Sequence, residues 1–412
     1  MRLLIISKFF PPMRMARAIQ IGKVTTALRN AGAEIKVIAG QERPSNYKSD
    51  NRTSISDATN TTFVPFTPFN GKGMPSRLLA KAQRELPFFL VFRSWVKEAI
   101  EKAESLIAQS KIDLVMTSST PLESHMVGLY LKRKYSIPWV ASFSDPLPQK
   151  ILPGPYRRSI PVLSGIESFI VRTIIKEASA IHMPSVYGIE LTESFFKIPI
   201  SQKALAIPHI GMMVAGTSRD ASGGWVTHAG GLSKERVSPA LIDALTLVAA
   251  RINGCFKGLL FYGTVDQRFK KLIIKSRCDQ CVAYRDPVPS ELLEKIFDQS
   301  AALLVVEADL PYSPFLPSKF ADYASSGRPI IAITPPKSSI RDYLSKFGGG
   351  YSVGHDKTEI ADAICSIFDE QKAFMIAQET GLSNNFKSEV IGMQYLNWFH
   401  AIMQADQKMN PY

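Results

Sequence analysis

Short apolar runs alternate with amphipathic stretches along most of the chain. Residues 2–7 (RLLIIS) have the continuous apolar character of a buried strand. Residues 16–31 follow helical spacing with Ile19, Val24 and Leu28 as apolar positions, and Gly32 supplies a stop before a strand at 34–39. Further short strands are predicted at 113–117, 139–143 and 180–183, and then at 225–229, 258–262, 281–284, 302–306 and 329–333, with helical pattern between them. Strands that alternate with helices in this way argue for parallel sheets covered on both faces. Residues 208–224 (PHIGMMVAGTSRDASGG) lack periodicity and are rich in Gly, Ser and Ala. The predicted division is therefore a domain at 1–207, a linker at 208–224, a second domain at 225–383, and a closing segment at 384–412. That last segment carries an aromatic helix with Tyr395, Trp398 and Phe399, expected to pack back toward the first domain. The fold class that results is α/β, two Rossmann-like doubly wound domains facing a central cleft, with ligands at the carboxyl ends of the strands.

Composition narrows the class. The chain has 412 residues, 45% hydrophobic and 21% charged, which excludes disorder throughout and suits two cores. No run approaches the roughly 18 apolar residues of a membrane span; the longest comparable run covers only residues 86–92. The opening MRLLIISKFFPPM does not have a secretory layout, because its apolar core is short and Lys8 interrupts it. Cys255, Cys278, Cys281 and Cys365 are too few for a disulfide scaffold, and a cytoplasmic location is expected. The net charge of +13 is one-sided: residues 1–210 hold 28 Lys and Arg against 15 Asp and Glu, whereas the remainder holds 21 of each. Such a field suits an acidic surface, a phosphate-bearing molecule or nucleic acid.

The strongest local signal is at 317–330 (PSKFADYASSGRPI), after the apolar strand. Pro317 and Ser318 make a helix entry, and Gly327 with Pro329 a sharp stop. Lys319 then falls in the first turn, where the helix dipole favours an anion. Either a bound anion shares the helix N-terminus with Lys319, or Lys319 and Asp322 form a solvated i,i+3 pair. In the first case Asp322 is placed to accept hydrogen bonds from sugar hydroxyls. Residues 228–236 (HAGGLSKER) offer a second anion candidate or an ordinary turn: Gly230 and Gly231 permit close backbone approach, and Lys234 and Arg236 add charge. Two cationic strand-to-helix entries fit a diphosphate, whose charge they neutralise without metal. Cys278-x2-Cys281 lacks a second pair at zinc spacing, Glu307-Ala308-Asp309 lacks a second acidic partner, and no metal or cofactor is expected. No Gly-x-Gly-x-x-Gly follows the first strand, against a dinucleotide oxidoreductase.

These stretches resemble the retaining glycosyltransferases of family 4, of the GT-B fold, and in particular a polysaccharide-building subgroup. The likeness is carried by FFPPMRMARAIQIGKVTTALRNAGAEIKVIA, TSSTPLESHMVGLYLKRKYSIPWVASFSDP, HAGGLSKERVSPALIDAL and FLPSKFADYASSGRPIIAITP. It implies a nucleotide-diphosphate sugar as donor substrate, with Arg236 and Lys319 on the diphosphate and Asp322 in place of a Glu on the ribose. An earlier Glu of the pattern falls on Pro314, and an Arg after the first glycine falls on Gly231. In the first domain the resemblance places His125 at a helix entry facing the cleft, as a polar group beside the reacting sugar. A block usually written Asp-Phe-Arg-Asp-Pro is here Ser142-Phe143-Ser144-Asp145-Pro146, so Asp145 either orients the acceptor hydroxyl or caps the following turn. Arg14 and Arg17, beside Pro11-Pro12, are the acceptor-side candidates or ordinary surface charges.

Residues 74–100 mix five cations with Phe88, Phe89, Phe92 and Trp95, and Pro87 divides them into two short helices. They suit either attachment to an anionic membrane surface or packing on their own domain. With the basic first half they point to a lipid-linked or oligosaccharide acceptor at the inner face of the plasma membrane, in bacterial surface-polysaccharide assembly. No nucleic-acid module is recognised. Two alternatives share the fold: a sugar-nucleotide epimerase, which needs no acceptor, and a non-catalytic sugar-nucleotide-binding protein, to which Pro314, Ser142 and Ser144 point.

Overall fold

The computed structural model describes residues 1–42, 60–66, 93–158, 161–212, 224–252, 255–369 and 381–409. The expected membrane-binding stretch before Arg93 lies outside the described residues, as does most of the 208–224 segment. The chain forms two compact units, Met1–Ile207 together with Ile391–Tyr412, and Pro208–Val390.

In the first unit seven parallel strands follow the spatial order β3-β2-β1-β4-β5-β6-β7. They are β1 (Arg2–Ser7), β2 (Glu34–Glu42), β3 (Thr61–Phe66), β4 (Leu114–Ser119), β5 (Trp139–Phe143), β6 (Ala180–Met183) and β7 (Ala204–Ala206). The helices are α1 (Ala16–Asn30), α2 (Arg93–Gln109), α3 (Glu123–Tyr135), α4 (Pro161–Glu177) and α5 (Val186–Phe196). In the second unit six parallel strands run β10-β9-β8-β11-β12-β13. They are β8 (Trp225–Ala229), β9 (Gly258–Tyr262), β10 (Val282–Arg285), β11 (Ala302–Val306), β12 (Ile330–Ile333) and β13 (Gly350–Val353). Between them lie α6 (Pro239–Arg251), α7 (Gln267–Lys275), α8 (Leu293–Asp298), α9 (Ser318–Ser326) and α10 (Ser339–Phe347), and α11 (Lys357–Ile367) and α12 (Ser388–Met409) follow β13. Both orders reverse beside the first strand of the unit, between β1 and β4 and between β8 and β11, so each unit is doubly wound with its own switch point.

The apolar runs form the central strands because a parallel strand is buried on both faces. Leu3, Leu4, Ile5 and Ile6 of β1 and Leu303, Leu304, Val305 and Val306 of β11 are all fully buried. α1 buries Ala18, Ile21, Val24 and Leu28. Ile19 is exposed, a correction to the predicted apolar stripe: it follows Ala18 by one position, about 100° around the helix, and so leaves the face that Val24 and Leu28 share. Phe386 is buried with the aromatic side chains of the second unit, whereas Tyr395 and Phe399 of α12 are buried in the first, so the 384–412 segment contributes to both cores.

Immediately after β1 the chain buries a charge. Lys8 Nζ donates to Glu123 Oε1 at 2.8 Å, and neither side chain has appreciable exposure. The ammonium also lies 4.7 Å from the centre of the Phe66 ring, and the Lys8 N–H donates to Ser124 Oγ at 3.0 Å. The pair therefore ties the carboxyl end of β1 to the start of α3 and the end of β3. Burial pushes the Lys8 ammonium down and the Glu123 carboxyl up from their usual values, while their mutual attraction opposes both shifts. Glu123→Ala, which strands the Lys8 charge, is expected to cost about 3–5 kcal/mol of unfolding free energy, and the apolar pair Lys8→Met with Glu123→Leu far less. Urea unfolding of the two variants measures the difference.

Candidate functional site

The carboxyl end of β8 and the amino end of α9 meet in the second unit, and one tyrosine fixes them. The Ala229 N–H donates to Tyr323 Oη at 2.8 Å, and Tyr323 is fully buried. Lys319 stands one helical turn before Tyr323, on the same face, so this latch carries its ammonium to the loop after β8. There Lys319 Nζ lies 2.9 Å from His228 Nε2 and 3.4 Å from the Gly231 carbonyl oxygen. Gly230 adopts φ +103°, in the left-handed region, and a β-carbon on it would stand 3.3 Å from Lys319 Nζ. The turn thus needs glycine for both its backbone and its contact.

His228 was not singled out by the sequence. Its Nδ1 lies 2.9 Å from the Leu304 carbonyl oxygen, which requires the proton on Nδ1 and leaves Nε2 to accept from Lys319. Burial, with the Lys319 charge adding to it, holds this imidazole well below its usual pKa and therefore neutral. The same burial, aided by Arg236, lowers Lys319 to about 7. Arg236 ends the short helical turn Lys234–Arg236 that follows the Gly230-Gly231 loop. Two cations that repel each other across a glycine turn, beside the uncapped start of a helix, form a cradle whose strain an anion relieves. Ser318 is the first residue of α9 and Pro317 provides no side-chain cap. Asp322 is half-buried, three residues beyond Lys319.

Glu307 follows β11 and is also buried. Ser313 donates to its Oε1 at 2.5 Å and Ser338 to its Oε2, and burial raises its pKa. Oε1 thus braces the loop that leads to α9, and Oε2 ties it to the start of α10. Among the described residues no group of three or more His, Cys, Asp or Glu side chains is placed to hold a metal ion.

In the first unit Arg17 lies within electrostatic reach of both Asp145 and His125. Arg14 and Asp145 are exposed, with Ser144 Oγ 3.3 Å from Asp145 Oδ2. Arg17, in the first turn of α1, reaches β5: its Nη2 donates to the Ser142 carbonyl at 3.1 Å and to Ser142 Oγ at 3.0 Å. His125, expected to face the cleft, is instead buried against Phe143, with ring centres 4.6 Å apart. The reason is local: Thr117 Oγ1 accepts from Trp139 Nε1 at 2.8 Å and lies 2.6 Å from His125 Nδ1, which draws the ring into the space under α3. Burial lowers the His125 pKa to about 3, so the ring is neutral, with Thr117 donating to Nδ1 and the proton on Nε2.

A binding test follows from Lys319. An anion that pairs with Lys319 raises its pKa above the value of about 7 in the free protein, so binding takes up a proton between the two values. Affinity for a nucleoside diphosphate is therefore expected to fall as pH rises through 7, by up to about tenfold per pH unit. Calorimetry at about pH 8, in two buffers of different ionisation enthalpy, reads that uptake directly.

No known family profile and no curated protein matches the sequence. Solved structures do match. HepE of Anabaena, in complex with UDP-glucose, aligns at 13% identity over 97% of this chain and 99% of its own, with a TM-score of 0.62. The lipopolysaccharide outer core galactosyltransferase WaaB aligns at 12% identity over 97% and 99%, with a TM-score of 0.59. A Listeria monocytogenes protein named as a UDP-N-acetylglucosamine 2-epimerase aligns at 10% over 98% and 97%, with a TM-score of 0.55. At such identities the likeness is one of fold. Taken with the two doubly wound parallel sheets, it identifies the chain as a protein of the GT-B fold.

Proposed function

We propose that the chain is a glycosyltransferase that uses a nucleotide-diphosphate sugar. The observation that carries this reading is the cradle of Gly230, Gly231, Arg236 and Lys319 at the carboxyl end of β8. Its positive charge suits the diphosphate leaving group, so departure needs no metal ion. Ser318 contributes the first N–H of α9 to the same phosphate, and Asp322 accepts from ribose hydroxyls. In the finer reading the sugar passes, with its anomeric configuration retained, to a lipid-linked or oligosaccharide acceptor in bacterial surface-polysaccharide assembly. The leaving phosphate helps deprotonate the acceptor hydroxyl. Asp145 is the polar group of the first unit assigned to the acceptor, and Arg14 and Arg17 are the acceptor's cationic contacts. The basic first half supports work at the cytoplasmic face of an anionic membrane.

The Listeria neighbour favours a second reading, a sugar-nucleotide epimerase. It differs in one measurable respect: sugar isomerisation without acceptor, in place of acceptor-dependent release of nucleoside diphosphate. A non-catalytic protein would bind nucleotide and do neither.

Thermal unfolding with UDP, GDP, ADP and their sugar conjugates, in the presence of EDTA, tests the cradle first. One diphosphate is expected to raise the midpoint selectively. Lys319→Ala is expected to weaken that ligand by about 1.5–3 kcal/mol, the worth of a charge-assisted hydrogen bond. Unchanged calorimetric affinity in this variant would remove Lys319 from the site.

A further inference from the structure

A second cation of the molecule is fixed from behind and left without a counterion. The guanidinium of Arg17 rests on Ser142, and among the described residues no carboxylate lies within ion-pair distance of it. Asp145 acts on it only through space, and its Nε is buried without a hydrogen-bond partner.

What holds Arg17 is a chain of polar groups across the carboxyl half of the sheet. Ser118 of β4, Ser142 of β5 and His182 of β6 stand in register, so their side chains lie in one row on one face. Ser142 Oγ accepts from Arg17, so its own proton goes to His182 Nδ1 at 2.8 Å. The single ring proton of His182 sits on Nε2, 2.9 Å from the Ile207 carbonyl oxygen, and Tyr395 Oη of α12, 2.9 Å from the same nitrogen, is its second acceptor. Tyr395 and His182 are buried, and from Arg17 through Ser142 to His182 the hydrogens run in one direction. Burial and the nearby Arg17 charge keep His182 neutral, so the relay holds the guanidinium without neutralising it.

The surroundings repeat the same lack. Ser118 Oγ, next to Ser142 in the row, and His125 Nε2, close enough to feel the Arg17 charge, are both fully buried and both without a hydrogen-bond partner. A half-buried cation and buried donors left unsatisfied cost free energy that an oxyanion ligand restores. Where the resembling block carries its first Asp, the chain has Ser142, which bonds to Arg17 and leaves its charge for a ligand.

We infer that Arg17, oriented by Tyr395, His182 and Ser142, is the anchor for an oxyanion, phosphate or carboxylate, carried by the acceptor. The assignment of the ligand to the acceptor rests on the glycosyltransferase reading; the anion site itself does not. Arg17 touches the ligand, and the other three are positioning residues.

The test follows the Nε–H resonance of Arg17 in the 15N-labelled full chain, assigned by its loss in Arg17→Lys. Inorganic phosphate, glucuronate and uncharged glucose are the probes. The expected result is a saturable shift with phosphate or glucuronate and none with glucose. The stronger of the two anions tells a phosphate-bearing acceptor from a uronic-acid one. Ser142→Asp keeps a hydrogen-bond partner for Arg17 but supplies a competing charge. It is expected to weaken the anion by about tenfold or more without lowering the unfolding midpoint, an effect that a purely structural contact would not produce. Tyr395→Phe, which loosens the relay and leaves the charge, is expected to weaken the anion less than Ser142→Asp does. An Arg17 signal that ignores both anions, an equal response to glucose, or a Ser142→Asp variant of unchanged affinity overturns the inference. Nucleoside-diphosphate binding measured on the same samples separates the two readings. If it persists while the Arg17 signal stays fixed, only the anion anchor falls. If it fails while the signal moves, the anion site stands and the glycosyltransferase reading falls.

Discussion

A parallel sheet covered on both faces leaves a polar side chain few places to go, and the whole arrangement of this protein follows from that constraint. The strand centres are sealed by helices, so charged and hydrogen-bonding groups collect where the strands end and the helices diverge. In the first unit these are Lys8 after β1, Ser118 and Ser119 at the end of β4, Ser142 near the end of β5 and His182 in β6. In the second they are His228 near the end of β8, Gly230 and Gly231 beyond it, and Glu307 after β11.

The two units solve this common problem differently. The second braces its loops with Tyr323 on Ala229 and the serines on Glu307, and leaves two cations beside a glycine turn. Lys319 is held by groups that cannot cancel its charge, a neutral imidazole and a carbonyl. The first unit satisfies one of its cations and not the other. Lys8 is matched by Glu123 and serves packing, whereas Arg17 is matched by a hydroxyl and a carbonyl and keeps its charge. The contrast separates a structural cation from a ligand-seeking one by its partner rather than by its burial.

The same contrast explains what was legible in the sequence. Buried parallel strands announce themselves as apolar runs, so β1, β5, β6, β8, β9 and β11 could be read without knowledge of their neighbours. Pro317, Gly327 and Pro329 punctuate α9 locally, and Lys319 could be found because it offends a local rule about helix dipoles. The fate of Lys8 was not legible, since Glu123, 115 residues away, decides it. Nor were His228, Glu307 or the Ser142–His182–Tyr395 relay, because register and tertiary contact bring their partners together. Only a faint signal existed, a histidine inside each of two otherwise apolar strands, β6 and β8.

Those two histidines show one residue type put to the same use in each unit. In both, one ring nitrogen is spent on a backbone carbonyl, Ile207 for His182 and Leu304 for His228, and burial keeps the ring neutral. The carbonyl fixes the tautomer, and the tautomer decides what the other nitrogen offers. In each case it is a lone pair: His228 presents it directly to Lys319, and His182 presents it to Ser142, which relays it to Arg17. A neutral acceptor steadies a cation without competing for the anion that the cation is to bind, which a carboxylate in the same place would do. Burying these imidazoles therefore costs the protein two ionisable groups and leaves two positively charged ones directed, and uncancelled, at the ends of its strands.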